Sequence, residues 1–219
     1  MADTARILED FARAEPAAKA FIARALDAAA SAESVAFRAL FASVGRRLGS
    51  AGAEPPRATP SISATARPHW TLTDWIRAAL VGRAVASVAA ERQAALVQAL
   101  FEAGELGEQE SVLRTLSLLP DPARFVETGF LGCRTNARRV FEAIACENAF
   151  PELHFPELYL NQMILKAIFM EVPVSRIEGL ARRNGLELKR MARDYASERR
   201  AAGRPVPADI DLVLEGKSA

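Results

Sequence analysis

Apolar residues recur at helical spacing along almost the whole of this chain, and no stretch alternates with the period of two that a strand needs. Ile7, Leu8 and Phe11 form a first short stripe. A second begins at Pro16, whose missing N–H costs nothing at the first helical position, and continues through Phe21, Ile22, Ala25 and Leu26. Phe37, Leu40, Phe41, Val44 and Leu48 mark a third helix. Thr71, three residues before Asp74, has the spacing of a capping box and opens a helix with Leu72, Trp75, Ile76 and Leu80 on one face. Leu96, Val97, Leu100 and Phe101 form the next stripe, followed by Val112, Leu113 and Leu116. Leu119-Pro120-Asp121-Pro122 breaks the chain before a short helix through Phe125 and Val126. The fold class expected is all-α, either a multi-helix bundle or a HEAT-like α-solenoid of stacked helix pairs.

Residues 49–69 interrupt this pattern with four prolines, several small polar residues and Ile62 as the only large apolar side chain. Such a stretch neither forms a helix nor buries much surface, so a flexible loop is expected there. It divides the chain into an N-terminal helical subunit over 1–48 and a main helical body over 70–219. Within that body a basic amphipathic helix is expected over 184–200, with Leu188, Met191, Ala192 and Tyr195 on its apolar face. From Pro207 the tail is expected to dock as an extended strap or to fray.

At 219 residues, 50% apolar and 25% charged, the chain can bury a sizeable core and is not a disordered polymer. Its 28 basic and 27 acidic residues leave a formal charge of +1, which removes the usual electrostatic argument for nucleic acid. Residues 176–204 carry nine basic against four acidic side chains, but only Tyr195 could stack on a base, so a solvated helix face is the expectation. A cluster of Arg182, Arg183, Arg190 and Arg193 would instead suit an acidic protein or an anionic membrane surface. Two cysteines cannot build a disulfide framework, no run approaches a membrane span and no signal peptide is visible, so a cytoplasmic protein is expected. His69 and His154 are too few for a metal site, and no phosphate loop, nucleophile elbow or dinucleotide fingerprint is present. Neither a cofactor nor a metal is expected.

The segment 133–171, CRTNARRVFEAIACENAFPELHFPELYLNQMILKAIFME, departs from ordinary scaffold. Its first part reads as one amphipathic helix that buries Ala137, Val140, Phe141, Ile144 and Ala145 and ends near Glu147-Asn148. Cys133 and Cys146 stand roughly 20 Å apart on such a helix and cannot bridge. A glutamate in the last turn opposes the helix dipole, so Glu147 is either a solvated charge or a functional one. The repeated Phe-Pro-Glu-Leu at 150–153 and 155–158 places Glu157 in the first turn of the next helix, where a carboxylate suits the dipole. That helix, over 156–170, has only Asn161, Gln162 and Lys166 as polar residues after Leu158, and apolar positions go all the way round. It is therefore expected to be central and buried. Lys166 is one of four lysines against 24 arginines, so a lysine is uncommon in this chain. A buried amide or ammonium without partners costs several kcal/mol, so these three groups must face a satisfied internal network or a polar pocket.

Cys133-Arg134-Thr135-Asn136, Val140-Phe141-Glu142-Ala143, Glu147-Asn148, His154-Phe155-Pro156-Glu157, Asn161-Gln162-Met163 and Leu165-Lys166-Ala167 resemble the EboA-domain family. The stretch 194–207, DYASERRAAGRPVP, adds to the likeness, which is specific from about residue 70 to about residue 210. Members of that family carry Asn-Pro-Tyr where this chain has Asn148-Ala149-Phe150, and tryptophan where it has Leu160, so neither the tyrosine hydroxyl nor the indole N–H is present. The resemblance implies a place in metabolite traffic. Such proteins are encoded in ebo gene clusters beside a prenyltransferase-like membrane protein and metabolic enzymes, clusters associated with moving biosynthetic intermediates from cytoplasm towards periplasm. The resemblance implies no chemistry.

The function expected is that of a non-catalytic helical binding protein in the intracellular handling or export of a biosynthetic metabolite. Its polar pocket would be built on the 133–170 helices, with Arg134, Asn136, Glu147, Asn148, His154, Glu157, Asn161, Gln162 and Lys166 as the candidate lining. The alternative is a protein–protein adaptor for cluster enzymes or the membrane partner. An enzyme using Glu147, His154 and Lys166 comes third. Convergence of the polar set on a solvent-connected cavity favours the first reading, and a sealed hydrogen-bonded network favours the second.

Overall fold

The computed structural model describes residues 16–32, 34–48 and 70–216. The stripe at Ile7, Leu8 and Phe11 and the proline-rich segment 49–69, with its His69, lie outside the described residues. Among the described residues every regular element is a helix, as the apolar periodicity requires, and twelve of them are α-helices. The chain divides into two compact units, Met1–Gly129 and Phe130–Ala219.

In the first unit, α1 (Pro16–Ala29) and α2 (Val35–Leu48) pack together and bury Phe21, Ile22, Ala25, Phe37, Phe41 and Val44. Both also pack on α3 (Leu72–Ala86), which meets α4 (Ala90–Ala103) and α5 (Leu106–Thr115) as well. α3 is surrounded: twelve of its fifteen residues are buried. Two of the twelve, Asp74 and Arg77, are charged, and buried charges need partners. The expected capping box forms, with Thr71 Oγ1 accepting the Asp74 N–H at 3.2 Å and the Asp74 carboxylate accepting the Thr71 N–H at 2.9 Å. The same carboxylate takes Ser111 Oγ at 2.8 Å and Arg114 Nη1 at 2.9 Å from α5. Arg77 donates to the Gly107 carbonyl at 2.8 Å, stands 3.8 Å from Glu108 and lies over the Phe41 ring. Burial lowers the Arg77 guanidinium from its ordinary value, against the pull of Glu108 and Asp74. α3 and α5 are thus joined by charge as well as by apolar contact. Two 3₁₀ turns, Leu116–Leu118 and Pro122–Phe125, lead into α6 (Val126–Arg134), within which the division between the units falls.

The second unit continues with α7 (Arg138–Ala145), α8 (Phe150–His154), α9 (Glu157–Phe169) and a 3₁₀ turn at Val174–Arg176. α10 (Leu180–Arg183), α11 (Leu186–Ala201) and α12 (Asp209–Glu215) complete it. Its core holds Val140, Phe141 and Ile144 of α7, Phe150 of α8, Ile164 and Ala167 of α9, Leu188 and Ala192 of α11, and Ile210 and Val213 of α12.

Three expectations change here. The single helix expected from residue 133 to residue 147 is broken at 135–137, where Thr135 Oγ1 accepts the Ala137 N–H at 3.1 Å and competes with the helical bond. Cys133 and Cys146 therefore belong to different stretches of chain, and both are free. The tail after Pro207 is neither strap nor frayed end but α12, amphipathic through Ile210 and Val213 and tied in where Asp209 accepts the Val174 N–H at 2.9 Å. Finally, α9 is not buried all round: six of its thirteen residues are buried, while Leu158 and Phe169 are 54% and 69% exposed. Its apolar residues are divided between a core face and an outward face, and the more fully enclosed helix is α3.

Gly179 joins the 3₁₀ turn to α10 at φ +75°, and a Cβ there would fall 2.1 Å from Cδ of Glu152. Gly203 has a similar φ of +65° with no atom within 4 Å of its would-be Cβ. Gly179→Ala is expected to cost about 1–3 kcal/mol, combining left-handed strain with displacement of Glu152, whereas Gly203→Ala should cost about 1 kcal/mol from strain alone. Urea unfolding midpoints of the two variants check the difference.

Candidate functional site

A helix leaves its last four carbonyls without intrahelical donors, and the second unit is made largely of short helices. Lys166 of α9 meets that need for α6: its Nζ donates to the Cys133 carbonyl at 2.8 Å and the Thr135 carbonyl at 2.7 Å, 5.5 Å from the Phe141 ring centre. A cation also suits the negative end of the α6 dipole. This contact brings the side of α9 that bears Lys166 alongside α6, and a cavity of about 260 Å³ lies there. Phe130, Cys133 and Arg134 line it from α6, Tyr159, Gln162, Met163 and Lys166 from α9, and Phe155 from the connection between α8 and α9.

The cavity has aromatic walls. Phe130 stacks on Tyr159 at 3.9 Å between ring centres and 11° between planes, and meets Phe155 at 4.9 Å. The ring contacts continue from Phe155 to Phe150 and from Phe150 to His154, which stands outside the cavity. Arg134 and Lys166 are the cations of the lining, and no carboxylate lines it. Burial lowers the Lys166 ammonium from its ordinary value and pushes the Cys133 thiol up to about 12. At neutral pH that thiol is protonated and a poor nucleophile.

Of the nine candidates, Arg134, Gln162 and Lys166 line this cavity. Asn136 is exposed in the connection between α6 and α7. Glu147 is half-buried at φ +46°, with both carboxylate oxygens held by Arg176 at 2.8 and 2.9 Å and its N–H donating to the Arg176 carbonyl at 2.9 Å. Arg176 reaches Glu142 as well, at 2.9 Å, and Arg138 reaches Glu142 at 2.7 Å. Asn148 joins two helices, donating to the Ala143 carbonyl at 2.9 Å and accepting the Phe150 N–H at 3.0 Å. His154 is half-buried against Phe150, and Glu157 is exposed in the first turn of α9, near Gly185. Asn161 is fully buried outside the cavity lining, and neither amide atom has a hydrogen-bond partner.

The polar set therefore neither converges as a whole nor seals into one network. With 100° between successive residues, Gln162 and Lys166 face one side of α9 and Asn161 another. The sequence reading missed Phe130, Cys133, Phe155, Tyr159 and Met163 because an aromatic or sulfur side chain at helical spacing reads as core. The signal that could have found two of them is position: Tyr159 and Met163 lie one or two turns before Lys166 on its own side of the helix, beside Gln162. Three of the four arginines of the expected basic cluster are engaged within the fold. Arg182 pairs with the Glu152 carboxylate, Arg183 donates to the Glu152 and Phe155 carbonyls, and Arg190 pairs with Glu187 and Asp194. Among the described residues no group of three or more His, Cys, Asp or Glu is placed to hold a metal ion.

Burial raises the Glu142 carboxyl, but hydrogen bonds from Arg176 and Arg138 outweigh it and hold the group below its ordinary 4.5. A carboxyl depressed by folding contributes stability above its unfolded value and loses that contribution as pH falls through the folded one. The thermal midpoint is accordingly expected to drop as the pH is lowered below 4.5, and Arg176→Gln should flatten the drop in a pH series of melts. Asn161→Leu, which removes an unpaired buried amide, is expected to raise stability by about 1–2 kcal/mol in urea unfolding. A loss of that size would mean that the amide is hydrogen-bonded in solution.

Among the described residues no helix is long and apolar enough to cross a membrane. No curated protein and no solved structure matches the chain. The family model described as metabolite traffic protein EboA matches residues 13–215, nearly the full length, and the chain belongs to that family.

Proposed function

We propose that this protein binds a small metabolite non-covalently during its intracellular handling or export, and that the cavity beside Lys166 is the seat. The observation that carries this reading is the cavity itself: apolar aromatic walls with two cations and an amide set into them, the composition typical of a small-molecule site. The groups that could perform chemistry nearby are engaged in other ways. Glu147 is held by Arg176, Lys166 is bonded to two carbonyls, and Cys133 keeps its proton. This favours a carrier over an enzyme. Its partners would be the enzymes and the prenyltransferase-like membrane protein of an ebo-type cluster, with loading on the cytoplasmic side.

A second reading, a protein adaptor, has one observation in its favour. Leu153, Leu158 and Phe169 are 65%, 54% and 69% exposed on α8 and α9, apolar side chains that a protein partner could cover.

The carrier reading is tested on protein isolated from its native cells, desalted and denatured, with the released small molecules identified by mass spectrometry. A compound released from the native protein and reduced at least about tenfold in an Arg134→Gln, Gln162→Leu double variant, whose changes at exposed side chains leave the melting behaviour intact, is the expected outcome. No compound, or equal retention by the double variant, would leave the adaptor reading in its place.

A further inference from the structure

The geometry points to a ligand class for this cavity: a planar aromatic acid, with one or two fused rings and a small anionic group such as a carboxylate. The inference rests on the carrier reading above and narrows it. Three features of the cavity converge on it.

The first is charge. Arg134 is exposed, has no acidic partner among the described residues, and reaches the cavity from the last turn of α6. Lys166 adds a second positive charge, partly offset by the roughly half negative charge at the carbonyl end of α6 that it caps. Two of the three ammonium protons are occupied by carbonyls, which leaves one for a ligand. No carboxylate in the lining balances these cations, and Cys133 stays neutral because burial holds its proton on. A cationic ligand is repelled here, and an anion supplies the charge that the lining lacks.

The second feature is shape. Phe130 and Tyr159, stacked within 11° of parallel, bring two aligned aromatic rings to the lining, and Phe155 adds a third at a steep angle to Phe130. Met163 adds a polarizable sulfur, which favours aromatic rings over aliphatic chains. The third is size. A cavity of about 150 Å³ accommodates benzene. The roughly 260 Å³ available here therefore suits one larger ring system of two fused rings or one substituted ring, with its polar end at the cations.

Calorimetric titration of the full chain with naphthoate, naphthylmethanol, naphthylmethylammonium and decanoate tests the class. Naphthoate is expected to bind at least about tenfold more tightly than each of the other three. Arg134→Gln, a change at an exposed side chain, should weaken naphthoate about tenfold and leave naphthylmethanol unchanged, while Tyr159→Leu should weaken both. Equal or tighter binding of the alcohol, the ammonium or decanoate overturns the aromatic-acid assignment and leaves the carrier reading standing. Failure of all four to bind also overturns it. Whether the carrier reading falls as well is then decided separately, by the compound released from protein isolated from its native cells.

Discussion

The second unit depends on donors brought to the carbonyl ends of its short helices. A helix of five or eight residues leaves half or more of its carbonyls without an intrahelical donor, so its end calls for a donor from outside the helix. Lys166 does this for α6, Arg183 for α8 and Arg138 for α9, through the Met170 and Glu171 carbonyls. Asn148 serves α7 and Asn184 serves α12, at the Ala143 and Val213 carbonyls. Each cap joins the end of one helix to another part of the chain, so the set does the work that long helix–helix ridges do in a larger bundle. The cations also sit at the negative ends of helix dipoles, where their charge is favourable.

The first unit solves a different problem. α3 is enclosed, so the polar residues on it are buried with the rest, and Asp74 and Arg77 are answered by Ser111, Arg114, Glu108 and the Gly107 carbonyl of α5. A network of this kind fixes which face of α5 meets α3, because a slip by one residue would leave a carboxylate buried without a donor.

How much of this could be read in the sequence follows from the range of each signal. Helical periodicity is local, and it located the stripes at Phe37–Val44 and Leu96–Phe101 and the capping box at Thr71 and Asp74. Hydrophobicity alone does not say which side of a helix is covered. α9 carries Leu158 and Phe169 outward and so looked central, whereas α3, with two charges inside, is the enclosed one. A lone ammonium on a largely apolar helix must find partners, and Lys166 has them. That its partners are the Cys133 and Thr135 carbonyls could not be read, since they lie more than thirty residues away. The polar candidates on other faces, Asn161 and Glu157, were grouped with Lys166 by sequence distance. Glu147 and Asn148 were grouped the same way and serve Arg176 and the α7–α8 junction instead.

One ammonium ties the cavity to the fold. Lys166 holds the two carbonyls that finish α6 and keeps its third proton for a cavity occupant, so an occupant that engages this ammonium also pins it against those carbonyls. A filled cavity therefore slows fraying of the last turn of α6, with Cys133 and Arg134 in the segment that responds.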